Sequence, residues 1–386
     1  MKVGFNAQLL SYHHSYRSAG ISRYIDRILG HLGPHLRGTG SIAFVGPDVP
    51  DEVDSLAWLD LRHTRLPTQR PIVRVYWEQI LFSLEIRRYS VDLIHCPAYA
   101  APLLESSRSV VTFHDLSFLL MPSAFSWSNR QYLTQISRLA AGRAARFIAV
   151  SETTRRDMIG LLGIRPEQID VVYNGVDRGF QPVTDEAVVA DFRRKMGLPD
   201  QFILYLGTLE PRKNIPVLIR AYAVARQRGV QVPLVVAGGS GWGDLRLREL
   251  IAELGLEKAV RLIGYVPLED QVMWYNSATL FAYPSLYEGF GLPVIEAMAC
   301  GTPVVTSNRS SLPEVVGDAG IQVDPRDPTA LADALVSLLR DEDARADLSS
   351  RGLVRARTFT WERSAQETYD TFRRTVGDSD GGIQPR

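Results

Sequence analysis

Short apolar runs rich in Val, Ile, Leu and Phe alternate with longer amphipathic stretches along nearly the whole chain, and this rhythm constrains the fold most. The first set falls at 2–5, 41–45, 93–95, 109–113, 146–150 and 170–172, with helical patterns such as 22–32 and 130–144 between them. Such runs suit a parallel sheet covered on both faces. After Gln181-Pro182-Val183-Thr184 the pattern restarts, with runs at 202–206, 234–237, 260–262, 279–283, 303–306 and 321–323. The expected fold class is therefore α/β, with two successive doubly wound Rossmann-like units joined near 180–190. A length of 386 residues also favours two domains. Sheets of this kind bind ligands at the carboxyl ends of their strands, and two that face each other make a cleft.

Composition excludes several classes. Lys plus Arg and Asp plus Glu both number 43, so no long-range field favours nucleic acid, and no basic nucleic-acid motif is present. The two cysteines, Cys96 and Cys300, lie far apart without metal-ligand spacing and read as buried free thiols in a reducing cytoplasm. The first residues enter a strand pattern directly, and no apolar run reaches spanning length. A cytoplasmic protein is expected, and peripheral contact with the inner membrane face stays open.

The segment Tyr287-Glu288-Gly289-Phe290-Gly291-Leu292-Pro293-Val294-Ile295-Glu296 places two carboxylates eight positions apart around a glycine-rich turn. The run before it reads as a buried strand that Pro284-Ser285 ends, and Pro293 suits the first turn of a helix. The N–H groups of Gly291 and Leu292 are then expected at a positive helix end, which binds anions or sugar hydroxyls. With Glu288 on the loop and Glu296 on the helix, both can face one polar ligand carrying a phosphate and several hydroxyls. A sugar nucleotide has both.

This segment resembles the paired-glutamate signature of retaining glycosyltransferases, in the large nucleotide-sugar family that holds mannosyltransferases, glucosyltransferases and sucrose-phosphate synthase. Ala297-Met298-Ala299-Cys300-Gly301-Thr302-Pro303-Val304-Val305 and Leu312-Pro313-Glu314-Val315-Val316-Gly317 match it as well. The resemblance implies the two-Rossmann GT-B fold. It divides the chain into an acceptor-side domain (1–180), a donor-binding domain (185–355) and a last helix (359–376) that packs back on the first domain; the Gly-, Asp- and Ser-rich tail (377–386) is expected to be disordered on its composition. It further implies that Glu296 accepts hydrogen bonds from the ribose, that Glu288 holds the sugar, and that the backbone of Phe290, Gly291 and Leu292 meets sugar hydroxyls or phosphate.

Gly207-Thr208-Leu209-Glu210-Pro211-Arg212-Lys213-Asn214 follows the first strand of the second unit. Arg212 and Lys213 there can neutralise a departing diphosphate. The family's basic pair falls in this loop, but many relatives carry an arginine where this chain has Thr208. Lys213 matches the family lysine, and Arg212 is expected to take over the missing charge. Gly207 opens the loop and counts with the donor-binding positions. His114, in Thr112-Phe113-His114-Asp115, sits where the family places a functional histidine at a strand end and is expected to donate to a sugar hydroxyl or phosphate oxygen. His13 and His14 read as loop residues.

Gly20 matches the family's glycine-rich phosphate loop, in which Ala19 replaces a second glycine, and Ser22 suits an N-cap. Gly238-Gly239-Ser240-Gly241-Trp242-Gly243 lacks the spacing of a P-loop or a dinucleotide fingerprint and reads as a strand-end loop with a donor contact at Gly238 or Gly239. Tyr265 and Val266 match the segment that lines the nucleobase pocket. Residues 70–88 read as an amphipathic helix with Val73, Trp77, Ile80, Leu81 and Leu84 on its apolar face. Core packing is its plain reading, and membrane docking or acceptor contact the sharper one.

The expected activity is retaining transfer of a hexose from a nucleoside diphosphate sugar, the donor substrate, to an acceptor hydroxyl. By analogy with the family the departing phosphate takes the acceptor's proton, so no separate base is expected; Arg212 and Lys213 neutralise the diphosphate, so no metal or resident cofactor is expected. The Glu-Pro-Arg-Lys-Asn form of the basic loop is similar to that of bacterial polysaccharide mannosyltransferases and favours GDP-mannose; UDP-glucose or another UDP-hexose is the alternative. The acceptor can be a polysaccharide, a lipid-linked saccharide or a small molecule. A sugar-nucleotide epimerase and a non-catalytic sugar-nucleotide binding protein are the other readings, and both accord less well with the two glutamates. No Gly-x-Gly-x-x-Gly follows either first strand, which disfavours a dehydrogenase.

Overall fold

The computed structural model describes residues 1–12, 20–68, 71–102, 108–239 and 244–380. His13 and His14, Ala19, and the loop from Ser240 to Gly243 lie outside the described residues. The chain divides into two compact units, the described parts of Met1–Gly175 with Trp361–Arg386, and Val176–Thr360.

The first unit is built on β1 (Val3–Ala7), β2 (Ile42–Val45), β3 (Asp60–His63), β4 (Leu93–Cys96), β5 (Ser109–Phe113), β6 (Arg146–Ala149) and β7 (Ile169–Val171). They form a parallel sheet in the order β3-β2-β1-β4-β5-β6-β7. The strand β3 was not expected: its sequence, Asp-Leu-Arg-His, is polar and half exposed because it forms an edge, so it lacks the apolar run of the central strands.

Alternation along β1 divides the core. Val3, Phe5 and Ala7 pack beneath the helices Ile21–Leu36 and Trp361–Asp380, where Tyr24, Trp361 and Phe372 are buried. The opposite face of the sheet carries Phe44, Ile94 and Cys96 against Trp77, Phe82 and Ile86. The helix Trp361–Asp380 runs past the expected end at 376, because extending an existing helix needs no new nucleation. Residues 381–386 of the expected tail lie outside the described residues.

The expected helix over 70–88 is interrupted. Pro71–Tyr76 and Phe82–Ile86 are α-helical, and Trp77–Leu81 between them forms a π turn. The wider turn shifts the phase of the helix beyond it, so the inward series is Trp77, Phe82 and Ile86, with the Trp77 and Phe82 rings 5.2 Å apart. Ile80 (41%) and Leu84 (46%), expected on the apolar face, are instead exposed together with Tyr76 (51%).

The second unit carries β8 (Ile203–Leu206), β9 (Leu234–Ala237), β10 (Val260–Gly264), β11 (Leu280–Tyr283), β12 (Val304–Ser307) and β13 (Gly320–Val323). Their order, β10-β9-β8-β11-β12-β13, is parallel throughout. The winding direction reverses between β8 and β11, and such a switch point leaves a crevice at the strands' carboxyl ends. No helix among the described residues is long and apolar enough to cross a membrane.

Candidate active site

The loops that leave β8 and β11 meet at this switch point. After β8 the chain makes a 3₁₀ turn, Pro211–Lys213, and Asn214 adopts a left-handed φ of 61° before the helix Ile215–Gln227 begins. Asn tolerates that conformation, and its amide nitrogen donates to the carbonyls of Pro284 (3.1 Å) and Pro325 (2.6 Å). The β11 loop is tied in turn: Leu286 N donates to Arg212 O at 2.8 Å. Ser310 Oγ accepts from Glu288 N at 2.9 Å, and Ser311 Oγ donates to the carbonyls of Glu288 (2.9 Å) and Phe290 (2.7 Å). Gly291 then starts the helix Leu292–Ala299 with φ 111°, and a Cβ there would lie 2.7 Å from Leu312. Only glycine meets both conditions without strain.

These ties bring Arg212, Lys213 and Glu288 to one buried point. Glu288 Oε2 accepts from Arg212 Nη1 at 2.8 Å, and Oε1 accepts from Lys213 Nζ at 2.7 Å and from Ser285 Oγ at 2.7 Å. Arg212 also pairs through Nε with Glu210 at 2.9 Å. Burial pushes the Glu288 carboxyl up, but Lys213 and Arg212, with the hydrogen bonds, outweigh it and hold the group at about 2. Lys213 donates to the Tyr283 hydroxyl at 2.5 Å and lies 5.1 Å from that ring's centre. Tyr283 stacks on Tyr205, whose hydroxyl donates to Thr208 O at 3.1 Å. Burial and the Glu288 charge raise both phenols, so both hydroxyls stay protonated at neutral pH.

Glu296 is buried one helix turn further on, where the Tyr275 hydroxyl donates to its Oε2 at 3.0 Å. Thr302 Oγ1 donates to Tyr275 O at 2.8 Å, and Tyr275 packs edge-on against Phe281. Gly238 N donates to Gly264 O at 2.7 Å, and a Cβ on Gly238 would lie 1.8 Å from Gly207 O. Close backbone contact between the ends of β8, β9 and β10 thus demands that glycine independently of any ligand. Beyond β10, Tyr265 is exposed and Val266 is buried.

His114 and Gly20 belong to the first unit. The Pro97 carbonyl can only accept, so His114 Nε2 is the protonated nitrogen and donates to it at 2.7 Å. Burial pushes the imidazole down, against the opposing effects of Pro97 and Asp115. The hydrogen expected for donation from His114 to a sugar is thus already engaged with Pro97, and Nδ1 is the acceptor nitrogen. Asp115 accepts from the backbone N and hydroxyl of Ser117 (2.9 and 2.7 Å). Ser22 is not the expected N-cap: Gly20 holds that position, and the Ser22 hydroxyl exchanges two hydrogen bonds with the backbone of Ser11.

Sequence reasoning missed Tyr275, Tyr283, Ser285, Ser310 and Ser311 as members of this network. Ser310-Ser311 directly before Leu312-Pro313 is a helix-entry pattern that could have pointed to that loop.

Comparison with known proteins agrees with the architecture. Residues 189–354 match the family described as Glycosyl transferases group 1, and residues 18–180 match Glycosyltransferase Family 4. The chain is 34% identical over 289 residues to O-antigen chain mannosyltransferase B of Escherichia coli, covering 75% of this chain and 76% of that protein. The chain belongs to the group 1 glycosyltransferases. A second relative of this glycosyltransferase is the serotype-specific mannosyltransferase WbdA of Escherichia coli, 31% identical over 277 residues; the match spans 70% of this chain but only 34% of WbdA. Among solved structures, sucrose-phosphate synthase from Thermosynechococcus elongatus superposes with a TM-score of 0.76 at 22% identity, covering 98% of this chain and 100% of that one. The glycosyltransferase therefore has the GT-B fold.

Proposed function

We propose that this glycosyltransferase transfers mannose from GDP-mannose to a saccharide hydroxyl with retention of anomeric configuration. The observation that carries the reading is the Glu288 carboxylate, kept ionised between Arg212 and Lys213 at the switch point of the second sheet. A buried anion beside two cations suits chemistry in which positive charge develops on a sugar ring while negative charge builds on a departing diphosphate. Glu288 holds the sugar and stabilises its ring. Arg212 and Lys213 turn towards the diphosphate, and the backbone of Phe290, Gly291 and Leu292 binds sugar hydroxyls or phosphate. Glu296, oriented by Tyr275, accepts from the ribose. Gly207 and Gly238 let the donor approach backbone, and Tyr265 and Val266 line the base. His114 accepts from a sugar hydroxyl through Nδ1. With the basic pair neutralising the diphosphate, transfer proceeds without a metal.

Mannose is favoured by the Glu-Pro-Arg-Lys-Asn loop and by the mannosyltransferase activity of the Escherichia coli relatives. Tyr76, Ile80 and Leu84, exposed one turn apart with Arg87 and Arg88 following, extend the proposal to peripheral contact with an anionic membrane face. The test is transfer from GDP-α-mannose, with the product's anomeric proton read by NMR. An α-mannoside is expected, and a β-mannoside would overturn retention.

A further inference from the structure

In the first sheet the winding reverses between β1 and β4, and at the carboxyl end of that switch point lies a polar cluster that the donor chemistry does not use. Asn6 stands beside Phe44 in the register of β1 and β2, and its neighbour Phe5 pairs with His95 of β4, which places Asn6 level with Cys96. The π turn above this row turns Glu78 inward. Its carboxylate meets Arg74 Nε at 3.8 Å and the Tyr132 hydroxyl at 3.4 Å, and Asn6 adds a hydrogen bond. Gln79 follows on the same turn, and Gln8 follows Asn6 at the end of β1.

Asn6, Gln8, Glu78 and Gln79 are each less than a tenth exposed. Even so, Asn6 Oδ1 and both side-chain polar atoms of Gln8 and of Gln79 have no partner among the described residues. A buried amide left unpaired costs about 1–3 kcal/mol per group, so such a concentration of them calls for a ligand that supplies donors and acceptors together. The amides are neutral, and Arg74 already offsets the one carboxylate. A phosphate finds no surplus positive charge here. A sugar hydroxyl, which both donates and accepts, matches an amide group for group.

We propose that Asn6, Gln8, Glu78 and Gln79 form a subsite for the uncharged hydroxyls of a pyranoside acceptor. The inference rests on the reading of the chain as a transferase with a saccharide acceptor. An acceptor side is already expected of this unit, and the inference assigns it these four residues. The π turn is the device that makes the subsite, because a regular helix would not present Trp77, Glu78 and Gln79 to the interior in succession.

The test is saturation-transfer NMR with methyl α-D-mannopyranoside and methyl α-D-glucopyranoside on the wild type and on Gln8→Met and Gln79→Met. Thermal stability and stabilisation by GDP and UDP are read on the same samples. The wild type is expected to bind at least one pyranoside, and each variant to weaken that binding about tenfold or more. The variants are expected to melt no lower than the wild type, because they remove unpaired buried amides. Undiminished pyranoside binding in both variants would mean that the amides hold ordered water only, and would overturn the subsite. Absence of binding by either pyranoside in the wild type would overturn it equally. Failure of GDP and UDP to stabilise the protein would instead count against the transferase reading, while loss of pyranoside binding in the variants would still support the subsite.

Discussion

Lys213 Nζ and Glu288 Oε1 meet at 2.7 Å, one carried by the loop after β8 and the other by the loop after β11. The pair closes the switch point from both sides, and Arg212 fills the second carboxylate oxygen. In the proposed reaction a donor diphosphate brings its own negative charge to the same two cations. Glu288 thus occupies, before donor binding, the electrostatic place that the leaving group takes in the proposed reaction.

Replacing Glu288 by Gln removes the anion between the buried Lys213 and the partly buried Arg212. The expected loss of stability is on the order of 3 kcal/mol, because an unpaired buried charge is costly. Nucleoside diphosphate restores the missing charge, so saturating GDP raises the Tm of the variant by more than it raises that of the wild type. Equal shifts in a thermal melt would contradict this. Transfer by the variant falls about 10²-fold or more.

The same pair sets an acid limit. The folded pKa of Glu288, about 2, lies below its ordinary 4.5. The stabilisation is therefore complete above pH 4.5 and is lost as pH falls through about 2. Its size, from the difference between the two values, is about 3 kcal/mol. Urea unfolding from pH 6 down to pH 3 is expected to show the gap between wild type and Glu288→Gln narrowing as pH falls. A constant gap would count against the ion pair.

Tyr275→Phe removes the hydroxyl that donates to Glu296. If Glu296 binds the ribose, donor KM rises about 5- to 30-fold, from 1–2 kcal/mol of lost positioning, and kcat changes less. Steady-state kinetics separate the two parameters. A fall in kcat at unchanged KM would assign Tyr275 to the chemistry instead.

Ile80→Glu and Leu84→Glu place charge on exposed positions with little consequence for folding. Both are expected to reduce co-sedimentation with vesicles of anionic phospholipid several-fold and to leave nucleotide binding intact. Unchanged sedimentation would overturn the membrane contact.

The alternating apolar runs were sufficient to read both parallel sheets, because strands covered on both faces leave an uninterrupted signal. The edge strand β3 leaves none, since Asp60 and Arg62 alternate with partly buried neighbours. The Glu-Pro-Arg-Lys loop and the Glu-Gly-Phe-Gly segment were visible as motifs. Their junction through Ser285, Tyr283 and Ser311 was not, because those contacts join residues remote in sequence or carry no local pattern of their own. The π turn at Trp77–Leu81 was hidden for a related reason: periodicity assumes a constant turn, and one widened turn moved Ile80 and Leu84 from the expected core face into solvent.

Titration with GDP, UDP and ADP, each with and without magnesium, read by calorimetry or thermal shift, shows whether Arg212, Lys213 and Glu288 hold a nucleotide sugar. Metal-independent stabilisation is expected, strongest with GDP and lost on replacing Lys213 by Ala. Preference for UDP would move the donor to a UDP-hexose and keep the ion-pair site. Stabilisation by none of the three nucleotides would contradict the proposal that Arg212, Lys213 and Glu288 form a nucleotide-sugar site.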